Sequence, residues 1–358
     1  MHADRIAGTY LFHDPGGRGD WYLAIALAAL LNCEQPEQTD QPDFPIMPCG
    51  SCRVCHQIVS LNFEGFHFAL PISKHKNLDE AAELTTEILA RKKAEPFGML
   101  SAASYTSIPI ATAREIKKRL SRKASPGIRR IVIFYEMERM QQSSADALLK
   151  IIEEPPADTV MVLTTRNPEA LLPTIRSRAR LVRLDRVPEA AAVRYLKSEY
   201  QLADKKAQLL ARTSEGSLGR AIEMAGVDDD SSQRAVGFLL FRSLFQDQSP
   251  DTLSHMAELL SPRDLGQAEE LLELWQSLLR DCTYYAATGD EEALINIDFV
   301  SELPRLASAL KGGEQIADIV SQIKIALADI KGKVHIQGAL MALALKIKAE
   351  LNVTHGSA

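Results

Sequence analysis

The sequence holds no run of about eighteen apolar residues that could cross a bilayer as a helix. Its start, MHADRIAGTYLFHDPGG, lacks a continuous apolar segment of the secretory type. A cytoplasmic location without a membrane partner is the expectation. Charge of one sign is also scarce: 41 Lys and Arg against 47 Asp and Glu give a formal net charge of −6. Broad capture of nucleic acid by the whole chain is disfavoured, because phosphate binding needs a cationic surface. A basic cluster at Lys117–Lys123 departs from that average, but aromatic residues, only 6% of the chain, do not interleave with it. Neither a repeat of about 20–50 residues nor a sustained heptad is visible, which removes solenoid and coiled-coil architectures. What is there suits ordinary cores: 358 residues, 46% apolar and 25% charged, the material for two or three domains.

Cysteine is sparse and concentrated. Of five, four are Cys33, Cys49, Cys52 and Cys55, the last three at CxxCxxC spacing. In a reducing compartment structural disulfides are disfavoured, whereas four thiolates surround Zn²⁺ tetrahedrally. Structural zinc is the preferred reading, with Pro48 and Gly50 supplying the turn and His56 the substitute ligand should Cys33 point elsewhere. A redox role and an Fe–S cluster stay open as alternatives. Cys282, alone in LLRDCTYYAA, reads as a buried small side chain.

Residues 11–21, LFHDPGGRGDW, carry an apolar strand into Asp14-Pro15-Gly16-Gly17-Arg18-Gly19-Asp20-Trp21 and then an Ala/Leu-rich helix over about Tyr22–Leu31. That is the frame of a phosphate-binding loop, in which backbone N–H groups wrap phosphates, a lysine reaches the outer ones and a hydroxyl holds Mg²⁺. Here Asp20 stands at the lysine position and Trp21 at the hydroxyl position. Gly16, Gly17 and Gly19 remain, but the loop is degenerate and no bound nucleotide is expected. A Gly-rich strand-to-helix turn without any phosphate history is the plain alternative.

The first half alternates strand and helix signals, the pattern of an α/β domain with a largely parallel sheet. Strands are expected at Tyr10–His13, Phe66–Ile72, Arg130–Tyr135, Val160–Thr165 and Leu181–Leu184. Helices are expected around Tyr22–Leu31, Leu78–Lys93, Ala111–Leu120 and Ser144–Glu154, the last capped by Ser143 or Ser144 and ended by Pro155-Pro156. Residues 73–110 read as an insertion that is irregular after Lys93. From about Arg186 the texture turns all-helical, with three short helices to Gly226, an acidic linker at Asp228–Ser232, and four or five amphipathic helices beyond.

The degenerate loop, the four-cysteine knuckle and RRIVIFYEMERMQQSSADALLKIIEEPPADTVMVLTTRNPEALLPTIRSRAR occur in an order that resembles the bacterial clamp-loader subunits of DNA polymerase III, in the AAA+ superfamily. The resemblance implies a RecA-like α/β domain over 1–186 with a zinc knuckle at 33–55. It further implies a small helical lid over 187–227 and an all-α collar over 228–358 that oligomerises. In such ATPases an Asp ends the strand IVIFYEME to hold Mg²⁺; Tyr135 stands there, with Glu136, Met137 and Glu138 read as surface charge and spacer. Thr164 and Thr165 hold the sensor position. In the lid, Gly219 occupies the place of an arginine, with Arg220 one step on from Gly216-Ser217-Leu218-Gly219.

Ser177-Arg178-Ala179 matches the family's Ser-Arg-Cys triplet without its cysteine. The resemblance implies that Arg178 is an arginine finger reaching a neighbour's ATP, with Arg176 and Arg180 salt-bridged or solvent-facing. The implied partners are ATPase subunits of the gamma/tau type and a delta subunit in a hetero-pentamer, with the sliding clamp and primed DNA met through that assembly. The leading expectation is therefore a non-hydrolysing subunit without ATP in its own site. An active ATPase using Arg18 in place of the lysine, and a zinc-containing nucleic-acid-binding module, are the alternatives.

Overall fold

The computed structural model describes residues 6–40, 45–73, 78–100, 107–140, 142–226, 230–245, 265–310, 312–332 and 334–352. The chain forms two compact units, Met1–Glu199 with Ser214–Glu223, and Tyr200–Thr213 with Met224–Ala358. In the first unit the described elements are β1 (Thr9–His13), α1 (Asp20–Asn32), β2 (Glu37–Gln38), β3 (Ile46–Met47), α2 (Arg53–Val59) and β4 (Phe66–Ala69). They continue with α3 (Leu78–Ala94), α4 (Ile110–Leu120), β5 (Arg130–Phe134), α5 (Gln142–Glu153), β6 (Thr159–Thr165), α6 (Pro173–Arg176), β7 (Arg180–Arg183) and α7 (Glu189–Tyr200).

Five strands pair in the order β4-β5-β6-β1-β7, every pair parallel. Parallel strands need helical crossovers, so both sheet faces are covered and the strands read as apolar runs. Alternation sorts them: Val132 and Phe134 of β5 face Ile116, Leu148, Ile152 and Ile175, while Ile131 and Ile133 face Trp21, Ala24, Ala28 and Ile58. Each buried Val, Leu, Ile or Phe among them contributes about 1.5–3 kcal/mol.

The predicted strands and helices of this unit are all present. Strand Phe66–Ile72 is shorter than expected, ending at Ala69, with Ile72 bridging antiparallel to Ser107. Helix α5 starts at Gln142, just before the expected cap, and the prolines follow its last turn. Part of the 73–110 insertion, 74–77 and 101–106, lies outside the described residues. Residues 97–99, expected to be irregular and unassigned, pack against the glycine loop. Two glycines at positive φ, Gly17 at 73° and Gly19 at 114°, shape that loop.

Among the described residues the remaining helices are α8 (Asp204–Thr213), α9 (Leu218–Gly226), α10 (Asp230–Ser243), α11 (Leu265–Thr288), α12 (Leu303–Ala309), α13 (Gly313–Lys331) and α14 (Ile336–Asn352). The first turns of α9 belong to the first unit. In the second unit Trp275, Leu278, Leu279 and Cys282 of α11 pack with Phe241, Leu306, Ile323 and Leu343 around one core, so Cys282 is the buried side chain expected. Trp275 also donates its Nε1–H to Gly237 O at 3.0 Å, satisfying the indole as it is buried. Of the acidic linker expected at Asp228–Ser232, residues 228 and 229 lie outside the described residues, and 230–232 are not linker but the first turn of α10.

Candidate functional site: a self-filled loop, a cysteine cluster and an edge arginine

Strand β1 delivers the chain into the loop at Asp14, whose N–H still pairs with Thr165 O at 3.0 Å. The Asp14 carboxylate then turns into the loop. Its Oδ1 accepts from Gly16 N at 2.9 Å, and its Oδ2 from Arg18 N at 2.7 Å, Gly19 N at 2.9 Å and Asp20 N at 3.2 Å. These are the backbone donors that a working loop directs at phosphate, and they lie at the N-terminus of α1, where a helix favours negative charge. Asp14 is 2% exposed. An intramolecular carboxylate therefore occupies the anion nest. The acid in the nest is Asp14, not Asp20, the acid that stands at the lysine position. A signal existed, since Asp ahead of Pro-Gly-Gly accepts local N–H groups in a turn.

Asp20 instead folds back on its own helix, accepting from Trp21 N at 2.7 Å. Burial first, and then the neighbouring Asp14, push its carboxyl up to about 6. Trp21 is buried, stacked on Phe68 at 5.5 Å and edge-on to Tyr135 at 5.7 Å, so the hydroxyl position has become core.

Between these groups lies a residue without a role in the sequence reading, Lys92 of α3, only 3% exposed. Its Nζ donates to Gly98 O at 2.7 Å and Tyr135 Oη at 2.9 Å, and sits 4.4 Å from the Tyr135 ring centroid and 5.6 Å from that of Trp21. Burial pulls the ammonium down to about 8, with Asp20 and Glu136 opposing.

The loop is covered as well as filled. A Cβ on Gly19 would meet Phe97 at 2.9 Å and one on Gly17 would meet Met99 at 2.8 Å. Phe97 is itself stacked on Tyr22, centroids 4.8 Å apart. From the other side the start of α9 closes in: Gly219 N donates to Gly17 O at 2.8 Å, and Ser217 Oγ donates to Gly16 O. A Cβ on Gly219 would lie 2.6 Å from Phe97 O, so glycine at this position is what permits the approach. Arg18, the candidate replacement for the lysine, donates from Nη1 to Leu184 O at 2.8 Å.

The acidic residues after β5 are not the surface charges expected. Glu136 is 1% exposed, has φ 52°, and pairs with Arg139 Nε and, at 2.7 Å, with Arg166 Nη2. Glu138 Oε1 accepts from Arg166 N at 2.9 Å. Burial at the end of a central strand is possible because two guanidinium groups compensate the charge. Thr164 Oγ1 accepts from Glu136 N at 3.0 Å, and the same hydroxyl of the sensor position hydrogen-bonds the Asp20 carboxyl. Thr165 is buried too, its Oγ1 accepting from Asn167 N at 3.2 Å.

Arg178 lies between α6 and the edge strand β7, on the exposed side, with Ala179 buried beneath it. Its Nε meets Glu153 Oε2 at 3.1 Å, and its Nη1 donates to Thr174 O at 3.0 Å. Arg176 pairs with Glu169, and Arg180 is exposed. Ser177 is exposed beside them.

The four sulfurs of Cys33, Cys49, Cys52 and Cys55 all lie within 4.8 Å of one another, so the cluster could hold a metal ion. Backbone N–H groups donate into the sulfurs: Cys49 N to Cys33 Sγ at 3.3 Å, Cys52 N to Cys49 Sγ at 3.3 Å, and Cys55 N to Cys52 Sγ at 3.4 Å. Such donors favour thiolate. The Ser51 side chain and backbone, with Cys52 N–H, bring Cys49 down to about 6, whereas burial pushes the Cys55 thiol up to about 12. A cation would reverse the Cys55 shift, because thiolate is the form that ligates. His56 is exposed and outside the cluster. Lys117, Lys118, Arg119, Arg122 and Lys123 are exposed around the end of α4.

The chain is similar to known proteins. "DNA polymerase III subunit delta'" of Escherichia coli (strain K12) is 31% identical over 166 residues, 43% of this chain and 50% of that protein. The protein of the same description from Bacillus subtilis (strain 168) is 24% identical over 355 residues, 97% of this chain and 93% of its own length. The match thus spans half of the first relative and nearly all of the second. A solved gamma-subunit-related protein of DNA polymerase III from Thermotoga maritima aligns at 20% identity over 80% of this chain and 93% of its own, with a TM-score of 0.30. The family described as "DNA polymerase III, delta subunit" matches residues 1–188, more than half of the chain. With its parallel α/β domain and helical C-terminal region, the chain belongs to this family of clamp-loader subunits.

Proposed function

We propose that this chain is the delta-prime-type subunit of a bacterial clamp loader. It hydrolyses no ATP itself, completes a neighbour's ATPase site with Arg178, and so supports loading of the sliding clamp onto primed DNA. The observation that carries the reading is the Asp14 carboxylate in the nest, which repels a phosphate by charge and blocks it by volume. Losses at Asp20, Trp21, Tyr135 and Gly219 agree with it, and Arg18 is held away from a lysine's task by Leu184 O. The partners under this reading are gamma/tau-type ATPase subunits and a delta subunit in a hetero-pentamer, in the cytoplasm, as part of the polymerase holoenzyme. Calorimetric titration of the purified chain with Mg·ATP tests it. No saturable heat is expected up to about 1 mM nucleotide, and micromolar affinity with turnover by the isolated chain would replace the reading with that of an active ATPase.

The cysteine cluster fits structural Zn²⁺: four sulfur donors, no position left for substrate, and N–H groups already directed at the sulfurs. Bound zinc would staple the segment after α1 to the start of α2. Metal analysis should return about one Zn²⁺ per chain, and Cys55→Ser should lose it together with several degrees of Tm. Metal-replete protein that contains no zinc and forms a Cys33–Cys49 disulfide on oxidation would favour the redox alternative.

A further inference from the structure

A loop of this type is normally shaped by what it holds: an anion in the backbone nest and a cation between the hydroxyl that follows the loop and the acid that ends the neighbouring strand. Both places are filled here by side chains of the same chain. Asp14 offers a carboxylate to four backbone N–H groups, and Lys92 places an ammonium beside Tyr135 and Trp21, the residues standing at the two metal-ligand positions.

We propose that Asp14 and Lys92 are built-in substitutes for the phosphate and the metal ion, and that together they hold the start of α9 against the loop with nothing bound. The inference rests on reading residues 14–20 as a disused nucleotide loop; it does not depend on the role of Arg178.

The connection runs through three short segments. Asp14 holds the N–H groups of Gly16, Arg18 and Gly19; Arg18 N–H shares a peptide plane with the Gly17 carbonyl and so turns it outward, and the Gly16 carbonyl lies between the held N–H groups of Gly16 and Arg18. Those two carbonyls are the acceptors for Ser217 Oγ and Gly219 N, so the start of α9 is tied to a loop shape that the carboxylate maintains. Lys92 holds the third segment by donating to Gly98 O, which places Phe97 on Gly19 and Met99 on Gly17, and both residues also touch Gly219. In an ATPase such a closure comes and goes with ligand, because only the liganded loop offers the right surface. With both ligands covalently part of the chain their effective concentration is fixed, and the closed arrangement is permanent.

Hydrogen exchange of the purified full chain tests this, comparing wild type with Asp14→Ala and using inorganic phosphate as the probe. Asp14→Ala should raise exchange about 10-fold or more at Arg18 and Gly19, and by a similar factor at the distant Gly219 amide. Phosphate at about 10 mM should restore protection at all three in the variant and change nothing in wild type. Wild-type exchange at Gly219 in the variant, or a variant indifferent to phosphate, overturns the proposal. Should Asp14→Ala lose its far-ultraviolet helix signal, Asp14→Asn takes its place, since the amide keeps an acceptor oxygen without the charge. The same two outcomes then decide. Lys92→Met provides the cation arm: faster exchange at Gly219 is expected, and an unchanged rate there removes Lys92 from the device. A chain that binds Mg·ATP unaltered would defeat the functional reading instead, so the two failures are distinct.

Discussion

Replacing Arg178 with alanine is expected to leave a clamp-loader complex that assembles but hydrolyses ATP at the neighbouring site about 10³-fold more slowly. Charge builds on the γ-phosphoryl oxygens as the bond to the leaving group breaks, and a guanidinium supplied from the next subunit stabilises it at that moment. Arg178 is suited by its placement: it is exposed beside the edge strand, its Nε held by Glu153 Oε2 at 3.1 Å and its Nη1 by Thr174 O at 3.0 Å. Assembly should survive because the side chain is exposed and its partners, Glu153 and Thr174, are themselves exposed. Arg178→Lys should recover little, since a lysine keeps the charge and loses the fork. The measurement is DNA-stimulated ATP hydrolysis by the complex reconstituted with its cognate ATPase subunits. Unchanged hydrolysis by Arg178→Ala would end the assignment. Arg176, occupied by Glu169, serves as the control, because its replacement should alter the rate little.

Asp281→Ala should destabilise the second unit by about 4 kcal/mol. The Asp281 carboxylate is 0% exposed and sits on α11 beneath the turn at 289–298. It accepts from Ile295 N at 3.1 Å, Asn296 N at 2.7 Å and Asn296 Nδ2 at 2.7 Å. Alanine leaves these buried donors without an acceptor, each costing about 1–3 kcal/mol before relaxation. It also frees Asn296, whose Oδ1 accepts from Arg234, itself paired with Asp298. Against a total stability of about 5–15 kcal/mol, that loss should lower Tm by roughly 10 °C. Urea unfolding of Asp281→Ala and Asp281→Asn checks it: the asparagine variant, which keeps one acceptor oxygen, should fall between the other two. A change below about 1 kcal/mol for alanine would mean that the turn finds other acceptors.

The two cases differ in how far the sequence announced them. Arg178 stands out in the sequence because a local triplet in a familiar order marks it as the proposed finger. Asp281 was not, because nothing in LLRDCTYYAA says which turn a mid-helix carboxylate will reach. The same division runs through the loop. Asp20 and Trp21 were readable as losses from a spaced pattern, and the cysteines as a cluster from CxxCxxC. Glu136 was misread as surface charge, since its burial depends on Arg166 arriving from the end of β6.

Composition, periodicity and motif spacing thus determined the parallel α/β domain, the helical remainder, the four-thiol cluster and the degenerate state of the glycine loop, all of which are written in residues close together in the chain. Only the tertiary structure decided what took the place of the missing ligands. Asp14, Lys92 with Phe97, Tyr135 and Gly219 come from four separate stretches of sequence, and their meaning lies in hydrogen bonds of 2.7 to 2.9 Å that no spacing encodes. A buried carboxylate and a buried ammonium are each unfavourable alone. They are tolerable here because the fold brings backbone donors to one and acceptors to the other, and that compensation exists only once the chain has closed.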